Sequence, residues 1–207
     1  MTEPSAIWSL RQIVTDNSIS TTQNVILSYA RNSLHTMIRN IDRVHQQTKV
    51  EGDNHIVYGE DLPSLLSDIV FHQGLASTLL FRDGPKGNGE SQKAFASRSE
   101  RAAYVAQKCD GLSLDALKNK KVRNSIAHLD EYLVEELAAE STGWWIDTVQ
   151  SRRDMFTAPN NLKVAFCRSY IIGEDKLLNF GNEIVLSDLK REAEQVLAAI
   201  WLEPAPK

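Results

Sequence analysis

Cysteine is scarce in this chain, with Cys109 and Cys167 the two in 207 residues. Neither belongs to a CxxC pair, which leaves no disulfide framework and no dithiol redox motif; both read as reduced, core-type residues. The five histidines, at 35, 45, 55, 72 and 128, form no HExxH and no tight His/Cys group, so zinc and other metals have no ligand spacing to support them. No apolar run approaches the roughly 18 residues of a membrane span. The start "MTEPSAIWSLRQ" also lacks the basic region and apolar core of a secretory signal, so a cytoplasmic location is expected. A basic excess is missing too: 23 Lys and Arg face 27 Asp and Glu, for a net charge of -4. That balance excludes coating of nucleic acid by bulk charge and requires any such contact to be local. Internal repeats and low-complexity tracts are absent.

What is present is the composition of a soluble globular protein, 42% hydrophobic and 24% charged. The length suits a single domain over 1–207. In "TTQNVILSYARNSLHTMIRNIDRVHQQTK" the residues Ile26, Ala30, Leu34, Met37, Ile41 and Val44 recur at three and four, one face of a long helix that Thr21 or Thr22 caps. A second helix fits "DLPSLLSDIVFHQGLASTLLFR", with Asp61 as cap, Pro63 in its first turn and Gly74 weakening its middle. "DGPKGNGE" is a flexible loop by its Gly and Pro content; it fails as a phosphate-cradling P-loop because Lys86 precedes the last glycines and no Ser or Thr follows it. A third helix covers about 91–109, with Ala94, Phe95, Ala102, Val105 and Ala106 inward.

After Gly111 a fourth helix is expected to run from Ser113 or Leu114 to about Ala139, ended by "STGWW", with "TAPNN" as a second loop. Past 161 the pattern changes: "LKVAFCRSYII", a "GEDK" turn and "LLNFGNEIVL" read as a β-hairpin, and "SDLKREAEQVLAAIWL" as a final amphipathic helix capped by Ser187 with Leu189, Val196, Leu197 and Ile200 inward. The fold class is mainly α, a helical bundle with a C-terminal β-hairpin and final helix over 161–202.

Chemistry concentrates in "KNKKVRNSIAHLDEYLVEELA". Val122, Ile126, Leu129, Leu133 and Leu137 form an apolar stripe. Asn124 and His128 lie four apart on a neighbouring face, and Arg123 is roughly 140° around an ideal helix from His128. Arginine binds a phosphate bidentately, and histidine can take a proton from a ribose 2′-hydroxyl near neutral pH while arginine stabilises charge on the phosphoryl oxygens, a route that needs no metal or other cofactor. Lys118, Lys120 and Lys121 precede the motif and raise local affinity for a polyanion. Each residue also has a bland reading: Arg123 in a surface ion pair, Asn124 at a helix start, His128 paired with Glu131 or Tyr132.

"RNSIAH" resembles the R-x4-6-H signature of the HEPN superfamily, in which a polar residue follows the arginine as Asn124 does here. The resemblance covers about 22–140 and implies a HEPN-like helical bundle core. It implies homodimers that bring two motif copies to one cleft, which removes the 140° difficulty, and metal-independent endoribonuclease activity in toxin–antitoxin, antiviral or CRISPR systems. Arg123 would then bind phosphate or stabilise the transition state, Asn124 position it, and His128 transfer the proton, with Lys118, Lys120 and Lys121 binding RNA and an antitoxin as a further partner. The rival expectation is a non-catalytic helical adaptor that binds a nucleotide, RNA or protein. "RNSLH" at 31–35 echoes the motif with too short a spacer, leaving Arg31 as a secondary RNA or dimer contact. Trp144 and Trp145, expected on a loop, would stack bases or, more ordinarily, divide between core and interface.

Overall fold

The computed structural model describes residues 20–51, 55–57, 59–138, 142–146, 149–155 and 163–201. Helix α1 (Thr21–Gln47) and helix α2 (Leu62–Phe81) pack along each other, joined through an antiparallel pair, β1 (Lys49–Glu51) and β2 (His55–Val57). On α1, Ala30, Leu34, Met37, Ile41 and Val44 are fully buried, as their spacing requires, while Ile26 at the start of the expected face is half-buried and Leu27 turns inward in its place. The cap is one residue earlier than expected: Ser20, not Thr21 or Thr22, accepts from Gln23 N at 3.3 Å. Asp61 does precede α2, but its carboxylate turns to Arg43 and leaves the helix amides alone.

Helix α3 (Gln92–Lys108) departs from its expected inner face. Of Ala94, Phe95, Ala102, Val105 and Ala106, Val105 alone is buried, and two arginines, Arg98 and Arg101, join it at 6% and 7% exposure. The reason lies at the end of α2, where the last carbonyls of a helix have no partner within it. Arg101 Nε donates to Leu79 O at 2.6 Å and its Nη1 to buried Gln23, while Arg98 reaches Arg82 O at 3.1 Å. Arg98 goes on to the carbonyls of Gly84 and Pro85 and holds Glu90 through two nitrogens. The loop over 83–90, expected to be a flexible connection, is therefore organised around a buried guanidinium.

The fourth helix is not continuous. It divides into α4 (Asp115–Lys118), α5 (Lys121–Ala127) and α6 (Leu129–Ala138). Buried Gln73 of α2 donates to the carbonyls of Leu117 at 3.0 Å and Asn119 at 2.6 Å, taking acceptors that a continuing helix would use. The second break falls at His128 (φ -116, ψ 43). Three residues earlier Ser125 Oγ donates back to Val122 O at 2.8 Å, a local bond that bends helices.

The C-terminal β structure is richer than one hairpin. Strands β3 (Thr142–Ile146) and β5 (Lys163–Phe166) pair in parallel; β4 (Val149–Gln150), β6 (Ser169–Ile171), β7 (Lys176–Asn179) and β8 (Asn182–Val185) form a second sheet in the order β4-β6-β7-β8. Each segment expected to be a single strand is split where the backbone turns left-handed: at Arg168 (φ 47) in the first, and at Phe180 (φ 48) and Gly181 (φ 75) in the second. Positive φ at both central residues matches the twist of a two-residue hairpin turn. Trp144 and Trp145 lie in β3, not on a loop.

Helix α7 (Leu186–Trp201) packs on α1, with Leu189, Val196, Leu197 and Ile200 buried as expected. Its first turn is capped by Asp175 in place of Ser187: Asp175 Oδ2 accepts from Ser187 N at 2.7 Å, and Oδ1 lies 2.8 Å from both His45 Nε2 and Tyr170 Oη. Burial opposes ionisation there, but these hydrogen bonds outweigh it and bring the carboxyl down to about 2. A carboxyl depressed in the folded state contributes stability above its unfolded pKa and loses it as pH falls through the folded value. Between about pH 4 and 2 the melting temperature should therefore fall more steeply for wild type than for Asp175→Asn, and at pH 7 the variant should be less stable by about 1–2 kcal/mol. Parallel pH dependences in calorimetry would refute this role.

Candidate functional site

The motif stands on a scaffold assembled from distant parts of the chain. Leu114, in the cap position of α4, has no side-chain acceptor to offer, and Glu192 of α7 supplies one, accepting from Leu117 N at 2.8 Å and Ala116 N at 3.2 Å. With Gln73 on its carbonyl side, α4 is held at both ends, which fixes where α5 begins. Asn119 Oδ1 then accepts from Lys121 N at 3.0 Å. On the inward side of α5, Asn179 of β7, fully buried, donates to Ser125 Oγ at 2.8 Å. Tyr132 of α6 stacks on Phe180 at the hairpin turn, with ring centroids 5.9 Å apart. The C-terminal sheet thus buttresses the motif from within "RNSIAH" itself.

Val122 and Ser125 point inward, while Arg123, Asn124 and His128 are exposed. The stem of Arg123 lies across Gly74 of α2: a Cβ on that glycine would come 2.8 Å from Arg123 Cγ and 3.1 Å from Nε. A glycine inside a helix costs about 1 kcal/mol against alanine, and here its missing side chain makes room for the arginine. Arg123 Nη1 donates to Asn124 Oδ1 at 3.2 Å, so the neighbouring amide holds the guanidinium. His128 sits where α5 ends, with Nδ1 3.5 Å from Glu131 Oε1 and about half of its side chain exposed. His128 is still held by the last turn of α5, its N–H donating to Asn124 O at 2.9 Å, and its own φ and ψ end the helix.

The lysines divide. Lys120, half-buried between α4 and α5, has its pKa lowered first by burial and then by the charges of Arg82 and Arg123. Lys120 directly precedes α5, three residues before Arg123. Lys118 turns instead over the ring of Phe81, with Nζ 5.1 Å from its centroid, and lines a cleft of about 540 Å³ together with Lys120. Lys121 is exposed on the first turn of α5. Arg31 and His35 lie one turn apart on α1. In the sequence Gly74 reads only as a weak point of α2, and a glycine inside a helix is the available signal for the close approach of Arg123. Among the described residues no group of three or more His, Cys, Asp or Glu side chains is placed to hold a metal ion.

Comparisons with protein-family models, curated proteins and solved structures find no match to this chain. The site itself combines a guanidinium seated over Gly74, an exposed imidazole at the end of α5, and a helix start held by Gln73 and Glu192.

Proposed function

We propose that this chain is a metal-independent endoribonuclease of HEPN type, working as a homodimer on RNA in a toxin–antitoxin or antiviral setting. The observation that carries this reading is the seating of Arg123 over Gly74 on the first turns of α5, with exposed His128 where that helix ends five residues on. Buried packing does not explain such an arrangement, because the charged ends are exposed while the residues between them are anchored. Neutral His128 takes the proton of a ribose 2′-hydroxyl, and the freed oxygen attacks the adjacent phosphorus as Arg123 stabilises the phosphoryl oxygens. The bond to the 5′-oxygen breaks, that oxygen receives a proton, and the products are a 2′,3′-cyclic phosphate and a 5′-hydroxyl.

The second reading is a non-catalytic helical adaptor for a nucleotide, RNA or protein. It draws on the exposed apolar side chains Phe71 at 62% and Val134 at 67%, which a partner could cover.

If two motif copies build one site across a two-fold axis, the co-expressed mixture of Arg123→Ala and His128→Ala chains should recover activity that neither has alone. A wild-type dimer then holds two crosswise Arg123–His128 pairs and a mixed dimer one; random pairing makes half of the dimers mixed, so about a quarter of wild-type activity is expected. A mixture as inactive as its components, with mixed dimers present by mass, would refute the composite arrangement.

A further inference from the structure

The cleft beside the motif has contents that phosphate binding does not explain. It opens between the end of α2, α3, the turn after α3 and α4, and its polar lining comprises Lys118 and Lys120 opposed by Asp83 and Asp110. Two ammonium groups offset by two carboxylates make a poor seat for a phosphate and a suitable one for a neutral group rich in donors and acceptors. Among its lining residues is Ser77, 1% exposed, whose hydroxyl has no hydrogen-bond partner among the described residues. A buried hydroxyl without a partner costs free energy, and this one borders a space large enough to hold what would satisfy it. Phe81 supplies an aromatic wall, over which the Lys118 ammonium is already drawn.

We infer that this cleft receives one nucleobase of a bound RNA strand, with the base stacked against Phe81, its edge hydrogen-bonded to Ser77, and the adjoining phosphate on Lys120, Arg82 and Arg123. The inference rests on the RNA reading of the motif for the course of the strand, but not on cleavage. Lys120 is the link, since it lines the cleft and sits at the start of α5, the helix that carries Arg123. The cleft makes the protein selective for position along the strand, and Ser77 and Phe81 become specificity-determining residues.

The test uses uncleavable 2′-O-methyl RNA hexamers, intact or with one abasic position, and reads binding by fluorescence anisotropy. For wild type, one abasic position should weaken binding about five- to hundredfold, the usual range for loss of a stacked base. Phe81→Ala should bind the intact hexamer more weakly by a similar factor and no longer register the abasic position. Phe81 packs partly on the core, so Ser77→Ala guards against misfolding: it should keep or raise the melting temperature while weakening the intact hexamer about two- to tenfold. Wild-type affinity indifferent to every abasic position, no binding of the hexamer, or an abasic effect equal in wild type and both variants overturns the base pocket. Base-dependent binding without cleavage of the matching unmethylated RNA refutes the ribonuclease reading alone, and cleavage without base dependence refutes the pocket alone.

Discussion

Arg123→Ala and His128→Ala should each lower RNA cleavage by about a hundredfold to ten-thousandfold, the range for loss of a positioned proton-transfer group or charge-stabilising group. Both side chains are exposed, and exposed substitutions usually change stability by less than about 0.5 kcal/mol, so the melting temperature should move by no more than about 2 °C. That separation between activity and stability distinguishes a chemical role from an architectural one. Gly74→Ala sharpens it, because the substitution carries no chemistry of its own. Alanine favours the helix, yet its Cβ would meet Arg123 Cγ at 2.8 Å and push the arginine stem off α2. Cleavage should drop about tenfold, the equivalent of 1.4 kcal/mol, as a displaced guanidinium fits the transition state less well. Loss of melting temperature in step with loss of activity in all three variants would favour the adaptor reading.

The largest effect on stability is expected at Glu192. Its carboxylate is 3% exposed and serves the amides of Ala116 and Leu117. Glu192→Leu replaces the carboxylate with a side chain of similar size and leaves both amides without an acceptor. Hydrogen bonds to a charged group contribute about 1.5–3 kcal/mol each, and a stranded buried donor costs a comparable amount. A loss of about 3 kcal/mol is expected, which lowers the melting temperature of a chain of this length by about 6–12 °C. RNA affinity should fall as well, since α4 carries Lys118 and leads into Lys120. Glu192→Gln keeps one acceptor oxygen and should retain part of the stability. Thermal denaturation of the three proteins checks this; an unchanged melting temperature in Glu192→Leu would mean that α4 needs no cap from α7.

The elements legible from sequence are those whose own residues decide them. The apolar spacing of α1, α2 and α7 places each within a residue or two, because the buried face of a long helix repeats through its whole length. The fourth helix reads as continuous in the sequence because its first break is set from far away, where Gln73 takes the carbonyls of Leu117 and Asn119, and its second by a single serine bond back to Val122 that the apolar spacing does not register. The same holds for α3, where charged residues are expected outward and two arginines turn inward to serve carbonyls of α2 and the loop after it. Strand content after 161 was visible in the β-branched and aromatic residues. The splits at Arg168 and Phe180 were not, since neither residue type favours positive φ. In the site, the spacing of Arg123, Asn124 and His128 could be read directly. Their support by Gly74 and Asn179 depends on tertiary contacts that no local pattern encodes.

The ribonuclease account is tested most directly by the chemistry of the ends it leaves. Wild type, Arg123→Ala and His128→Ala would each be incubated in EDTA with a pool of single-stranded and transfer RNA, and new termini mapped by their phosphate state. The account predicts 2′,3′-cyclic phosphate ends from wild type and none above background from either variant. Folded, dimeric wild type that yields no new ends, or identical ends from all three proteins, would contradict it.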